Sequence, residues 1–113
     1  MGVFVLGIDG LGYEGLRSLN EMGMLRDVTF IAERYTRAVS KTCFPPQTIP
    51  AWISLFTGVN PGKHGVFSFL ETSKYGTRIN TSSNIMFPSL YEIFALQKKP
   101  TALINIPLSY PFH

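Results

Sequence analysis

The chain has 113 residues, which is enough for one domain at most. Its 45% hydrophobic and 15% charged residues place it at the apolar end of globular proteins, so we expect part of its surface to be covered by more protein. The net charge of +3 is small and the basic residues are scattered, which does not favour nucleic-acid binding. A single cysteine, Cys43, excludes an internal disulfide framework.

The first residues also do not match the patterns of known targeting signals. The N-terminus has no basic region, and Asp9 interrupts its apolar run too early for a secretory signal. No stretch approaches the roughly 20 apolar residues of a membrane span. Leu6 stands where a myristoylation signal has Ser or Thr. The sequence therefore predicts a cytoplasmic protein without a membrane partner.

The first predicted elements are a strand and a helix. Residues 3–8 form an apolar run that ends at Asp9, as a strand buried on both faces of a parallel sheet does. Apolar spacing predicts a helix over residues 13–22, and Gly23 is a suitable stop. Residues 35–39 are ambiguous, with an edge strand as one interpretation.

The clearest predicted helix begins at Thr48, which we take as its N-cap, and ends at Gly58. One apolar stripe follows helical spacing along it: Ile49, Trp52, Ile53 and Phe56. Residues 59–88 are rich in turn formers and predict loops with short extended pieces.

Ser89 is the predicted N-cap of a further helix, which Pro100 ends before a buried strand at 101–106. This order of elements predicts an α/β fold with a partial, open, mostly parallel sheet and flanking helices. Because so small a sheet leaves edges and an apolar face exposed, we expect residues 1–113 to be part of a larger domain. A small domain that forms a homo-oligomer to cover the sheet is the alternative.

A glycine pattern suggests one other function. Gly10, Gly12 and Gly15 match the G-x-G-x-x-G of dinucleotide-binding folds, after a strand and before a helix. Asp9, however, would face and repel the phosphates. A carboxylate at the end of a strand is better suited to a cation, because open α/β sheets bind ligands at that edge. A turn-capping role for Asp9 is the structural alternative.

Residues 44–69 closely resemble the type I phosphodiesterase / nucleotide pyrophosphatase group of the alkaline phosphatase superfamily. In that group a Thr or Ser nucleophile opens a helix that runs into Thr-Gly, followed by Pro and His-Gly. This chain has Thr48, Thr57-Gly58, Pro61 and His64-Gly65 in that order. Gly7–Gly10, with Asp9, is similar to the first metal-binding element of the family. The resemblance implies that this chain is the N-terminal portion of an alkaline-phosphatase-like catalytic domain.

The resemblance implies specific roles for three residues. Thr48 is the expected nucleophile and metal ligand, Asp9 the other metal ligand, and the backbone at Thr48 and Ile49 the site that binds phosphoryl oxygens. A Thr hydroxyl is a weak nucleophile, and a helix N-terminus stabilises an alkoxide by only about 0.5–2 kcal/mol. A divalent ion has the stronger effect on the pKa of a bound hydroxyl.

Three other residues bear on this hypothesis. Thr42 is a rival nucleophile, because it precedes Phe44-Pro45 as the nucleophile does in some relatives. His64 is a less favoured metal ligand, since the His-Gly element is expected to shape its loop. Phe69 stands where the nucleotide pyrophosphatases have an Asn that binds a phosphoryl oxygen, which leaves the choice of substrate open.

The complete enzyme is expected to use two divalent ions, zinc or manganese, and to hydrolyse a small-molecule phosphate ester through a phosphothreonine. The chain has two Asp residues, Asp9 and Asp27, and two His residues, His64 and His113. This inventory cannot supply two metal sites and allows at most one weak site. We therefore expect the chain alone to be inactive or nearly so. A dinucleotide-binding module and a non-catalytic dimerising fragment are the alternatives.

Overall fold

A computed structural model describes residues 2–25, 34–36 and 38–111 of the chain. The chain divides into two units, residues 1–41 and residues 42–113. The first unit contains helix α1, Tyr13–Glu21. The second contains α2 (Thr48–Thr57), α3 (Pro61–His64), β1 (Leu70–Ser73), β2 (Gly76–Ile79), a 3-10 helix (Ser82–Asn84) and α4 (Leu90–Leu96).

Helix α1 confirms the helix predicted over residues 13–22 to within one residue. It begins after Gly12 and ends at Met22, and Gly23 follows with a φ of +71°. That left-handed conformation is the usual one just beyond a helix end and favours glycine. Gly23 is therefore the stop that the sequence indicated.

The start of α2 differs by one residue from the prediction. Gln47, with φ −121° and ψ 156°, is the N-cap, and Thr48 is the first helical residue. Pro50 is tolerated here because the N–H groups of the first turn have no carbonyl partner within the helix. Gly58, with a φ of +71°, ends α2 as predicted.

The start of α4 is the N-cap that the sequence predicted. The Ser89 side chain accepts a hydrogen bond from the N–H of Glu92, and the Glu92 carboxylate accepts one from the N–H of Ser89 at 2.6 Å. This reciprocal capping box satisfies donors at the helix start. Aromatic rings pack α2 against α4, with Phe56 stacked on Trp52 and edge-on to Tyr91.

The strands β1 and β2 form an antiparallel hairpin within residues that were predicted as loops with extended pieces. Leu70 pairs with Ile79 and Ser73 with Gly76. Glu71 and Arg78 form an ion pair across the hairpin at 2.6 Å. Both side chains are largely exposed, so the pair contributes at most about 1 kcal/mol. The hairpin is a surface feature.

The described residues belong to the α/β class, but they do not form the predicted parallel sheet. Their one sheet is the hairpin. Residues 3–8 form no helix or strand, and no described segment pairs with them. In the segment 101–106, Asn105 has a φ of +54°, which interrupts an extended strand. Of the ambiguous residues 35–39, Arg37 lies outside the described residues and the other four form no strand.

The core of the second unit lies between α2 and the chain that follows α3. Ile49, Ile53 and Val66 are buried, and Ile85 and Leu108 pack against them. Of the predicted apolar stripe, Ile49 and Ile53, one turn apart, face this core, whereas Trp52 and Phe56 are half-buried. In the described part of the chain, none of the helices has the length and apolar character that crossing a bilayer requires.

Candidate active site

The start of α2 fixes the position of Thr48. The N–H of Gln47 donates to the Pro45 carbonyl at 2.9 Å, and the N–H of Ala51 donates to the Gln47 carbonyl at 3.1 Å. Thr48 is half-buried, whereas the next side chain, Ile49, is 1% exposed and lies in the core. Burial of Ile49 fixes the rotation of the helix about its axis, and with it the direction of Thr48.

The donors at this helix start are few. In α-helices the first N–H groups point out of the N-terminus and favour an anion. Pro50 has no N–H, and the N–H of Gln47 is bonded to Pro45. Thr48 and Ile49 therefore supply the backbone N–H groups of the first turn. The anion-binding role expected of their backbone stays a prediction.

The rest of the motif after Thr48 has structural roles. The Thr57 hydroxyl donates to the Ile53 carbonyl at 2.7 Å, and Gly58 is the left-handed C-cap. Pro61 begins α3, where its missing N–H costs nothing. Gly65, with a φ of +85°, ends α3. These residues reverse the chain after α2.

His64 is completely buried, and both of its ring nitrogens have partners. The N–H of Val66 donates to Nδ1 at 3.3 Å, so Nδ1 is unprotonated and the proton lies on Nε2. Nε2 lies 3.1 Å from the Ser54 hydroxyl oxygen, to which its N–H donates. Burial lowers the pKa of His64, and a hydrogen bond with the Pro50 carbonyl offsets part of that effect. His64 is a neutral, buried residue whose ring nitrogens contact α2 and the loop after α3.

Asp9 is exposed, in a turn that begins directly after residues 3–8. Gly10 follows with a φ of +72°, so the turn needs a glycine at that position. Asp9 belongs to the first unit and Thr48 to the second. Their predicted convergence on one cation stays a prediction.

The other two glycines of the G-x-G-x-x-G pattern are not required by the backbone. Gly12 has a φ of −82°, and a Cβ there would meet nothing within 4 Å. A Cβ at Gly15 would make an ordinary contact of 3.6 Å with Leu11. In a dinucleotide-binding fold these glycines allow close approach of the pyrophosphate and of the helix to the sheet. The described geometry does not show such a need.

Metal ligands are sparse in the described part of the chain. It contains no group of three or more His, Cys, Asp or Glu side chains that could hold an ion. Asp27 and His113 lie outside the described residues. The Cys43 thiol lies 3.6 Å from the Pro45 carbonyl. The rival nucleophile Thr42 is exposed and precedes the helix by several residues, so it does not share the helix start with Thr48.

Sequence reasoning did not identify Ser54 as a partner of His64. The available signal was weak: Ser54 is the one hydroxyl residue between the terminal threonines of α2, and it lies one turn after Pro50. A polar group on the buried side of a helix needs a hydrogen-bond partner. Only the path of the chain through α3 shows that this partner is His64.

Comparison with known proteins adds one finding. The sequence model of the family described as type I phosphodiesterase / nucleotide pyrophosphatase matches residues 3–101. No curated protein and no solved structure matches the chain. The matched region includes Asp9, Thr48 and His64, and it spans most of the chain. The chain therefore belongs to the type I phosphodiesterase / nucleotide pyrophosphatase family.

Proposed function

We propose that the chain is the N-terminal part of a metal-dependent phosphoric ester hydrolase in which Thr48 is the nucleophile. The Thr48 oxygen attacks phosphorus, the bond from phosphorus to the leaving oxygen breaks, and a phosphothreonine forms. Water then cleaves the phosphothreonine and regenerates the hydroxyl. The substrate class is a small-molecule phosphate mono- or diester.

The observation that carries this proposal is the place of Thr48 in a chain of this family. Thr48 is the first residue of a ten-residue helix, and the family match covers it. The backbone N–H groups of Thr48 and Ile49 are suited to the phosphoryl oxygens, because donors at a helix start stabilise developing negative charge. The remaining motif residues hold the loop after α2, which leaves Thr48 as the motif's reactive group.

The metal part of the proposal rests on fewer residues. Asp9 and Thr48 offer oxygen ligands, but the described residues do not complete a site around them. An ion bound there would lower the pKa of the Thr48 hydroxyl. We propose that the other ligands of two zinc or manganese ions come from further chain, so that residues 1–113 alone are inactive or nearly so.

The same larger domain would also complete the sheet. Residues 3–8 are mostly apolar, and Val3 and Phe4 are 88% and 87% exposed. Apolar side chains in such a run are typical of a strand buried on both faces. We propose that this run and the apolar residues near 101–106 join an open, mostly parallel sheet in the complete catalytic domain.

A pair of substitutions at Thr48 tests the proposed function in the protein extended past His113. With bis(p-nitrophenyl) phosphate as substrate, Thr48→Ala should lower kcat by about 10³-fold or more, because it removes the nucleophile. Thr48→Ser keeps a hydroxyl and should retain measurable turnover. Circular dichroism and the midpoint of thermal unfolding serve as controls for folding. Full activity in Thr48→Ala would rule out Thr48 as the nucleophile.

A further inference from the structure

We propose that His64 is a positioning residue for Thr48, linking the first two turns of α2 to the loop after α3. The inference rests on the proposed function of Thr48. Three segments of the second unit meet at the His64 imidazole and backbone: α2, the residues after α3 and the segment at Met86. Each contact is made by a different atom of His64.

On the α2 side, the ring contacts two residues that lie one turn apart. Nε2 is 3.1 Å from the Ser54 hydroxyl, and the Pro50 carbonyl, one turn earlier in α2, is near enough to the ring to affect its pKa. Pro50 is two residues beyond Thr48, in the same helical turn. A displacement of the ring would therefore be transmitted to the turn that carries the Thr48 hydroxyl and the Ile49 N–H.

On the other side, His64 fixes the returning chain. Nδ1 accepts from the N–H of Val66, whose side chain is 1% exposed and packs in the core with Ile49. The His64 carbonyl accepts from the N–H of Met86 at 3.0 Å. The imidazole is thus a rigid spacer with an acceptor toward the loop and a donor toward the helix.

The surroundings keep this spacer in one protonation state. Helix α2 carries no charged residue, and neither do residues 65–70 nor residues 85–86. The nearest charge in sequence is on Lys63, which is exposed. Protonation would turn Nδ1 into a donor that faces the Val66 N–H, and it would place a charge in the core. The neutral Nε2–H tautomer is the form that makes both links.

Substitutions can separate the two links. The amide of Gln reaches about as far as Nε2 and the amide of Asn about as far as Nδ1. His64→Gln should therefore keep the donor toward Ser54, and His64→Asn should keep only the acceptor for Val66. Ser54→Ala leaves the ring in place and removes one helix contact. Ile53→Val is the matched control, because it weakens the same core on α2 and leaves His64 and its hydrogen-bond partners unchanged in sequence.

The test measures kcat, KM and the thermal midpoint for these variants in the protein extended past His113, with bis(p-nitrophenyl) phosphate. We expect His64→Asn to lower kcat by about 10- to 100-fold, since small misplacements of a reacting group have effects of that order. His64→Gln should recover most of this loss, and Ser54→Ala should lower kcat several-fold. KM should change little. Ile53→Val should lower the thermal midpoint but leave kcat unchanged.

Two results would overturn the inference. One is a kcat that falls only in proportion to the loss of stability, equally in His64→Asn, His64→Gln and Ile53→Val. The other is an unchanged kcat in Ser54→Ala and both His64 variants. If His64→Asn does not fold, Ser54→Ala compared with Ile53→Val decides alone. Thr48→Ala in the same assay keeps the two proposals distinguishable, because its activity tests the nucleophile whatever the His64 variants do.

Discussion

At the scale of single residues, the motif consists of one proposed nucleophile and several residues with structural roles. Thr48 lies at the start of a helix, whereas Thr57, Gly58 and His64 complete the helix end and the loop after it. The motif that identifies the family is therefore largely a set of residues that hold the chain. The spacing of the motif, counted back from Thr57-Gly58, points to Thr48, and its role as the nucleophile stays a prediction.

His64 should make the protein less stable in acid. Its pKa is lowered by burial, so below the ordinary value of about 6.5 the unfolded chain takes up a proton before the folded chain does. Stability is then lost as the pH falls from about 6.5 toward the lowered pKa, and it is unaffected above about pH 7.5. Each unit of lowering corresponds to about 1.4 kcal/mol.

Urea unfolding of wild type and His64→Gln between pH 5 and 8 measures this effect. The wild-type free energy of unfolding should fall more steeply below pH 6.5 than that of the variant, because the variant has no titrating group at this site. The carboxylates and the other histidine are present in both proteins, so their contributions to the pH dependence of stability cancel in the difference. Parallel curves for the two proteins would show that His64 is not buried and neutral as described.

At the scale of elements, helix ends were more predictable than strands. Ser89, Gly23 and Gly58 mark helix boundaries through local hydrogen bonds and backbone conformation, which depend on a few neighbouring residues. The sequence placed the N-cap of α2 one residue too late, because Thr is a more common capping residue than Gln. In the structure Gln47 is the N-cap and Thr48 is the first helical residue. A strand needs a hydrogen-bonded partner strand from elsewhere in the chain. The apolar run at residues 3–8 did not by itself determine which segment, if any, it pairs with.

Two glycines that end helices adopt the left-handed conformation, and replacement of either by alanine should have a similar cost. Gly58 has a φ of +71° with nothing within 4 Å of an added Cβ. Gly65 has a φ of +85°, and its added Cβ would overlap only the end of the Met86 side chain, which is exposed and can move aside. Gly58→Ala and Gly65→Ala should therefore each cost about 1–2 kcal/mol, the left-handed backbone penalty.

Chemical denaturation of the two variants checks this expectation. Adding Met86→Ala to Gly65→Ala should change the free energy of unfolding by no more than Met86→Ala does in wild type. A much larger cost for Gly65→Ala than for Gly58→Ala, recovered by Met86→Ala, would show that Met86 cannot move aside.

At the scale of the whole molecule, membership of the family suggests a reason for the exposed apolar residues near the N-terminus. The apolar run at residues 3–8 is exposed, and Asp9 follows it at a turn. In the proposed catalytic domain this run would be a sheet strand that ends at Asp9, the proposed metal ligand. Composition and apolar pattern could predict the α/β class of the fold. They could not predict which segment pairs with residues 3–8 or which other residues would bind a metal, because both depend on residues far away in sequence.

The most direct test of the central claim is the site of phosphorylation in a single turnover. The protein extended past His113 is mixed in excess with a phosphodiester, quenched in acid within milliseconds and mapped by peptide mass spectrometry. The proposal predicts a phosphoryl group on Thr48, still present in Thr42→Ala and lost in Thr48→Ala. Product release without a phosphoryl group on Thr48, or with one on Thr42, would contradict it.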